Sequence, residues 1–375
     1  HRGRRQRRHP RPGPGRHRPQ GRPAGDGGKA LLFKYLGGVD AVPICLGTKN
    51  PDEIIQAVKW LQPSFGGVNL EDIAQPKCFR ILDTLRAECE IPIWHDDQQG
   101  TATVTLAGLI NALKIVGKRI QDVRIAFIGA GASNVACSRL IFAYGARPEN
   151  CIIVDSKGIL NKKRRDIELR KAEFVDKWRL CQITNAEGRE GGIPEAMDGA
   201  DVVIALSTPG PDTIRKEWVQ KMARDAIVFL CANPIPEMWP WDAKEAGAAV
   251  VATGRSDFPN QVNNSLGFPG IFRGTLDARA RTITDEMCIA AAEALARMAE
   301  EKGLHPDYIL PTMDEWDVFP REAAAVAVKA QEQGLARVAL TAEEEYEQAA
   351  ATIRRARELT RVMMEQGFIP EAEEG

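Results

Sequence analysis

Val123-Arg-Ile-Ala-Phe-Ile-Gly-Ala-Gly-Ala-Ser-Asn-Val-Ala136 is the stretch on which the fold turns. An unbroken apolar run that ends in Gly129-x-Gly131 and passes into helix formers reads as a buried strand, a tight turn and a helix. In that geometry Gly129 permits the turn, and Gly131 lets a pyrophosphate approach the amides of the helix N-terminus, where Ala132, Ser133 and Asn134 stand. Cys151-Ile-Ile-Val-Asp155 then forms a second strand, ending in an acid 24 residues beyond Gly131, where a ribose hydroxyl is held. Asn134 fills the third glycine position, which asks for looser helix packing or a shifted helix start. Lys157, just past Asp155, can meet a 2′-phosphate, so NAD and NADP both stay open.

Further strands at 201–205, 227–230 and 249–252 alternate with helical segments. That alternation predicts an α/β chain with a Rossmann-type, doubly wound parallel sheet. Ser207, Asn233, Asn263 and Asn264 lie shortly after apolar runs, where hydroxyls and amides reach ribose, nicotinamide or a substrate carboxylate. Taken singly each is an ordinary turn former; their convergence past strand ends points to a site.

Upstream lie two acidic pairs, Glu71-Asp72 and Asp96-Asp97, 25 residues apart, each following an extended apolar segment. Carboxylates in such places cap helices. Two pairs on rigid elements also suit a hard divalent cation such as Mg²⁺ or Mn²⁺, which takes oxygen ligands and keeps positions open for substrate. Around them, Ala41 to Leu46 reads as a buried strand and Pro51 to Leu61 as a helix. Phe65 to Leu70 is a strand, Phe79 to Leu85 a helical stripe, Ile91 to Trp94 a strand, and a long helix runs from Thr101 to near Gly117.

At 375 residues the chain exceeds one compact core. Composition and pattern divide it into a basic segment (1–28), a metal and substrate α/β domain (29–107), a dinucleotide domain (108–255), a return segment completing the cleft (256–339) and a helical extension (340–375). Fifty basic against 51 acidic residues carry no signature of nucleic-acid or membrane binding. Eight scattered cysteines, without a Cys-x-x-Cys pair, suit buried thiols in a reducing compartment. With no apolar stretch near the ~20 residues that span a bilayer, a cytoplasmic protein is expected.

His1 to Gly28 holds nine arginines, seven glycines and five prolines, with no Leu, Ile, Val, Phe or Met, so disorder is expected there. It reads as an RNA- or anion-binding arm, a targeting peptide or an abnormal terminus. The absence of Ser disfavours a transit peptide, and the composition favours the abnormal terminus.

With these residues assembled, the chain resembles a malic enzyme of the bacterial type. The similarity rests on Gly66-Gly-Val-Asn-Leu-Glu-Asp-Ile73, Ile91-Pro-Ile-Trp-His-Asp-Asp-Gln-Gln-Gly-Thr-Ala102, Asp155-Ser-Lys-Gly158, Ala232-Asn-Pro-Ile-Pro-Glu237 and Ala252-Thr-Gly-Arg-Ser-Asp-Phe-Pro-Asn-Gln-Val-Asn-Asn264. It extends from about Lys29 to about Val338. The resemblance implies oxidative decarboxylation of L-malate to pyruvate and CO₂ with NAD or NADP and Mg²⁺ or Mn²⁺, in a homodimer or higher homo-oligomer. It also implies roles: Lys29 as general base, Asp96 as the acid orienting it, and Glu71, Asp72 and Asp97 as metal ligands.

The family's catalytic tyrosine belongs to an N-terminal Tyr-Thr-Pro-Gly motif, whereas Tyr35, Tyr144, Tyr308 and Tyr346 sit in no such motif. The expectation is dinucleotide binding with greatly reduced turnover. A malolactic-type enzyme and a non-catalytic dinucleotide-binding remnant are the competing readings.

Overall fold

The computed structural model describes residues 23–369, with side chains from Gly28 onward. Its first part consists of short elements: α1 (Pro23–Gly37), α2 (Pro51–Leu61), β1 (Val68–Leu70), α3 (Lys77–Glu88) and β2 (Ile93–His95). Asn50 caps α2 by accepting from the Asp52 amide at 2.9 Å, and Pro51 supplies a preset first helical residue. Ile54, Ile55 and Val58 of α2 close a small core with Ile81, Leu82 and Leu85 of α3 and Ile93 of β2. β1 and β2 pair in parallel with Leu70 opposite His95, so the residues that follow, both acidic pairs, leave the sheet at the same end. A five-residue π-type turn, Asp96–Gly100, leads from β2 into α4 (Thr101–Val116), which stops at Gly117 in the left-handed region (φ 66°).

The second sheet has six strands: β3 (Ile125–Ile128), β4 (Cys151–Asp155), β5 (Gly158–Ile159), β6 (Val202–Ala205), β7 (Ile227–Leu230) and β8 (Val250–Thr253). Their order is β5-β4-β3-β6-β7-β8, parallel throughout except for the two-residue edge β5, which turns back along β4. Helix α5 (Ala132–Tyr144) follows β3. The shorter α6 (Arg165–Glu168), α7 (Val175–Ile183), α8 (Ile193–Met197), α9 (Lys216–Val219) and α10 (Pro240–Glu245) connect the remaining strands. Phe127 and Phe229 join the core on one face, and Ala126, Ile128, Val203 and Val228 that on the other. Every residue of β3, β6, β7 and β8 is buried, which is why these strands read as continuous apolar runs. Strand order reverses between β3 and β6, so a ligand crevice opens at their carboxyl ends.

The chain then returns through α11 (Phe268–Asp277), α12 (Asp285–Lys302), α13 (Val318–Glu332) and α14 (Ala342–Glu365) to pack on α1 and α4. The backbones approach closely here. A Cβ on Gly37 would lie 2.7 Å from the Pro269 carbonyl oxygen, and one on Gly274 only 2.1 Å from that of Ala323. A capping box of Thr341 and Glu344 starts α14. Ala349, Ala350 and Ile353 of α14 are buried against the body, while Leu359, Val362 and Met363 face outward.

Two expectations are corrected. The buried strand read at Ala41 to Leu46 is an extended segment outside both sheets of the described residues, with Val42 66% and Ile44 46% exposed. Among the described residues the first sheet holds only β1 and β2, and this apolar run is not one of its strands. Residues 23–28, expected to be disordered, belong to α1, which has a proline at its first described position; the rest of the basic segment, and residues 370–375, lie outside the described residues. Among these residues, no helix is long and apolar enough to cross a membrane.

Glu345 of α14 is fully buried, and neither carboxylate oxygen has a hydrogen-bond partner. Burial first, and then the negative charge of Asp277, push its pKa up to about 8 against the pull of Arg273. The folded chain therefore holds a proton that the unfolded chain releases above about 4.5, so this contribution to stability fades as pH rises through about 8. Replacing Glu345 by Met is expected to stabilise the protein by on the order of 1–2 kcal/mol at pH 8.5 and less at pH 5. Denaturant melts at the two pH values check this; equal shifts at both would refute it.

Candidate functional site

Lys29, on α1, reaches the far end of the β1–β2 pair. Its ammonium donates to the fully buried Asp96 and lies 3.3 Å from Glu71 Oε1. The Phe268 ring lies beneath it, 4.5 Å from Nζ to centroid, and the Trp94 indole donates to the other Asp96 oxygen at 3.2 Å. Burial opposes the charge on Lys29, yet Asp96 and then Glu71 outweigh it and hold its pKa above the ordinary value. Across the strand pair the Asp72 amide donates to Asp97 Oδ2 at 2.9 Å, with Asp72 in the left-handed region (φ 55°).

Two of the four carboxylates, Asp96 and Glu71, thus share one lysine. Burial, followed by repulsion from Asp96, drives the Glu71 pKa up to about 7 despite Lys29, and burial likewise raises Asp97. His95, buried without a hydrogen bond from either ring nitrogen, is pushed down to about 4 by burial and is neutral. The segments carrying Glu71, Asp72 and Asp97 meet, but their side chains do not converge on one point: among the described residues no three Asp, Glu, His or Cys groups form a ligand cluster. The donor chemistry nevertheless fits a hard divalent cation, since every candidate ligand is a carboxylate oxygen and the cluster is short of positive charge.

At the other sheet, Gly129 adopts φ 100°, and a Cβ there would lie 2.5 Å from the Leu206 carbonyl oxygen. Nothing lies within 4 Å of a Cβ built on Gly131, so the space above the N-terminus of α5 is open. No side chain caps this helix, which leaves the first-turn amides around Ala132 and Ser133 free for an anion. Asn134 does not face that space. It is buried beneath the turn, donating to the carbonyls of Ile128, Gly129 and Ile204 at 2.8, 3.0 and 3.3 Å, and so bolts β3 to β6 while the helix starts at Ala132.

Asp155 is gripped as well. Arg164 pairs with both its oxygens at 3.0 Å, the Lys157 amide donates at 2.9 Å, and Lys177 stands 3.5 Å away. Although burial pulls the other way, the Arg164 hydrogen bonds lead in holding its pKa below the usual range. Arg164 lies in the run Lys162-Lys-Arg-Arg165, which reads in sequence as a solvated charge cluster.

A chain of contacts joins the two halves. The Ser207 amide and hydroxyl donate to the buried Glu237, which also accepts from the Ala232 amide next to Asn233. Asn233 adjoins Gly254, whose carbonyl accepts from Asn263 at 3.3 Å. Asn263 also caps the following turn, accepting from the amide and hydroxyl of Ser265 at 3.0 and 2.7 Å, so its amide group is spent on structure. Asn264, with no side-chain hydrogen bond to a described residue, lies beside Gly100, and α5 packs on the Asp96–Gly100 turn. The tyrosines are elsewhere: the Tyr308 and Tyr346 hydroxyls donate to Glu315 and Asp317, and Arg357 stacks on Tyr35.

A Cβ on Gly100 would fall 2.0 Å from Asp96 Oδ1 and 3.2 Å from Asn264 Cβ. Because Asp96 is clamped by Lys29 and Trp94, Gly100→Ala is expected to destabilise the fold by about 1–3 kcal/mol through overpacking. A denaturant titration within ~0.5 kcal/mol of the parent protein would show that Asp96 moves aside freely.

Comparison with known proteins matches this geometry to one family. Residues 98–332 match the malic enzyme NAD-binding domain, and residues 26–86 the malic enzyme N-terminal domain. The chain is 49% identical over 321 residues to a bifunctional malic/malolactic enzyme of Bacillus subtilis, covering 84% of this chain and 75% of that one. It is 48% identical over 310 residues to an NAD-dependent malic enzyme of Geobacillus stearothermophilus, spanning 83% of this chain and 63% of the relative. Among solved structures, the malic enzyme of Entamoeba histolytica superposes with a TM-score of 0.89 at 54% identity, covering 92% of this chain and 72% of that one. That of Pyrococcus horikoshii gives 0.86 at 49%, covering 91% and 78%. A lysine between two acidic pairs, joined by asparagine loops to a glycine turn on a doubly wound sheet, is therefore the site of a chain that belongs to the malic enzyme family.

Proposed function

We propose that this chain carries out oxidative decarboxylation of L-malate to pyruvate and CO₂ with reduction of NAD or NADP. The observation that supports it most is the meeting of Lys29 with the two acidic pairs, in contact through Asn264 and Gly100 with the loops at the carboxyl ends of the dinucleotide sheet. In this reading residues 29–107 supply the metal and substrate groups, 108–255 the dinucleotide site, 256–339 the rest of the cleft and 340–375 a packed extension. The working form is a cytoplasmic homodimer or higher homo-oligomer.

Glu71, Asp72 and Asp97 would hold Mg²⁺ or Mn²⁺. When bound, the cation polarises the carbonyl that forms at C2, and the nicotinamide takes the hydride. Lys29 removes the proton from the C2 hydroxyl. As the structure stands it is a paired ammonium and no base. Engaging Glu71 with a cation takes away one of its two carboxylate partners and adds positive charge nearby, and both lower its proton affinity. Asp96 holds Nζ in place. Asn264, with its amide uncommitted, is the residue of its pair suited to the substrate carboxylate. Gly131, Ala132 and Ser133 receive the pyrophosphate.

Cation affinity, a glycine-turn variant and the products formed test this reading. Because Glu71 holds its proton up to about 7, cation binding has to expel it. Mn²⁺ affinity by calorimetry is expected to fall roughly tenfold per pH unit below that value, with proton release; a pH-independent affinity contradicts the ligand assignment. Gly131→Ala is expected to leave stability within ~0.5 kcal/mol of the parent, since its Cβ meets nothing, yet to weaken dinucleotide binding at least tenfold. Malate-dependent appearance of NAD(P)H and pyruvate supports decarboxylating oxidation, whereas lactate without NAD(P)H marks the malolactic reaction. Dinucleotide binding with no turnover of malate supports a remnant.

A further inference from the structure

We propose that Glu237 is the positioning residue of the nicotinamide half of the cleft, setting the spacing between the loop after β6 and the loop after β7. The inference rests on reading Ser207 and Asn233 as cofactor residues.

Glu237 has no solvent exposure, and its carboxylate divides its work between two loops. Oε1 accepts from the Ser207 amide at 2.8 Å and from the Ser207 hydroxyl at 3.2 Å, while Oε2 accepts from the Ala232 amide at 3.1 Å. Its own backbone carbonyl accepts from the Ile214 amide at 3.0 Å, at the far end of the same post-β6 loop. One residue thus ties residues 207 and 214 to residue 232. No other side chain among the described residues hydrogen-bonds both loops.

The topology says which part of a ligand these loops face. β3 and β4 lie on one side of the crossover point and carry the glycine turn and Asp155. β6 and β7 lie on the other, which in this architecture receives the second nucleotide half, here nicotinamide and its ribose. A carboxylate is suited to this task because both of its oxygens only accept, and each faces backbone donors fixed by a strand end. An amide in its place presents one oxygen and one NH₂. Whichever way it turns, one of the two loops meets a donor instead of an acceptor.

Glu237→Gln therefore separates positioning from mere folding. The probes are NADH, which spans both halves, and ADP, which reaches only the β3 and β4 half; Kd is measured for each by calorimetry at 25 °C, alongside a denaturant melt. The expected result is at least tenfold weaker NADH binding with ADP binding changed less than twofold, and a raised KM for the dinucleotide with a smaller change in KM for malate. Glu237→Ala, which frees both loops, is expected to weaken NADH further while still sparing ADP. Unchanged NADH binding, or equal loss of NADH and ADP in both variants, overturns the proposal. NADPH replaces NADH as the probe if the parent binds it more tightly; if the parent protein binds ADP but neither NADH nor NADPH, the cofactor reading itself fails, and this inference fails with it.

Discussion

The buried contact between the Lys29 ammonium and the Asp96 carboxylate is the constraint on which this structure depends. Placing an uncompensated charge at a position with no solvent exposure costs several kcal/mol. Lys29 offsets the burial of Asp96, and Asp96 together with Glu71 offsets that of Lys29. The pair therefore fixes α1 against the turn after β2, and that turn in turn abuts α5 and Asn264. Gly100 is the geometric price of admitting a carboxylate there: no other residue leaves room for Asp96 Oδ1.

Much of the fold is legible in the sequence. Strands buried on both faces need no polar alternation, so the runs at 151–155 and 227–230 coincide with β4 and β7, and those at 201–205 and 249–252 are displaced by one residue at most. The helix 51–61 is announced by Asn50-Pro51 and appears with those bounds. The run from Ala41 to Leu46 misled because apolar content states what a segment would bury, not that it joins a sheet, and Val42, Ile44 and Leu46 stay exposed. The π-type turn at Asp96–Gly100 has no periodicity from which to be read.

The site was legible in its residue types and less so in their employment. Lys29, Glu71 and Asp96 form one ion-paired group, while Asp97 accepts from the Asp72 amide instead. Asn134 and Asn263 have the residue types of a ligand site but spend their amides on the backbone, and those partners, Ile204 and Gly254, cannot be inferred from local spacing. Asp155 stands at the strand end where a ribose acceptor belongs, yet Arg164 occupies both its oxygens. Glu237 escaped notice because, inside Asn233-Pro-Ile-Pro-Glu237, an acid beside two prolines looks like an ordinary turn.

The close approaches along α11 have a mechanical meaning. Where Gly37 meets Pro269 and Gly274 meets Ala323, helices touch backbone to backbone, with no intervening layer of side chains to shear or repack. Bodies joined in this way do not slide past one another in small steps. The block formed by α1, α11 and α13 carries Lys29 as a fixed post, and residues 117–124 after α4 and 254–264 after β8 are the connections that lead to and from the six-stranded sheet.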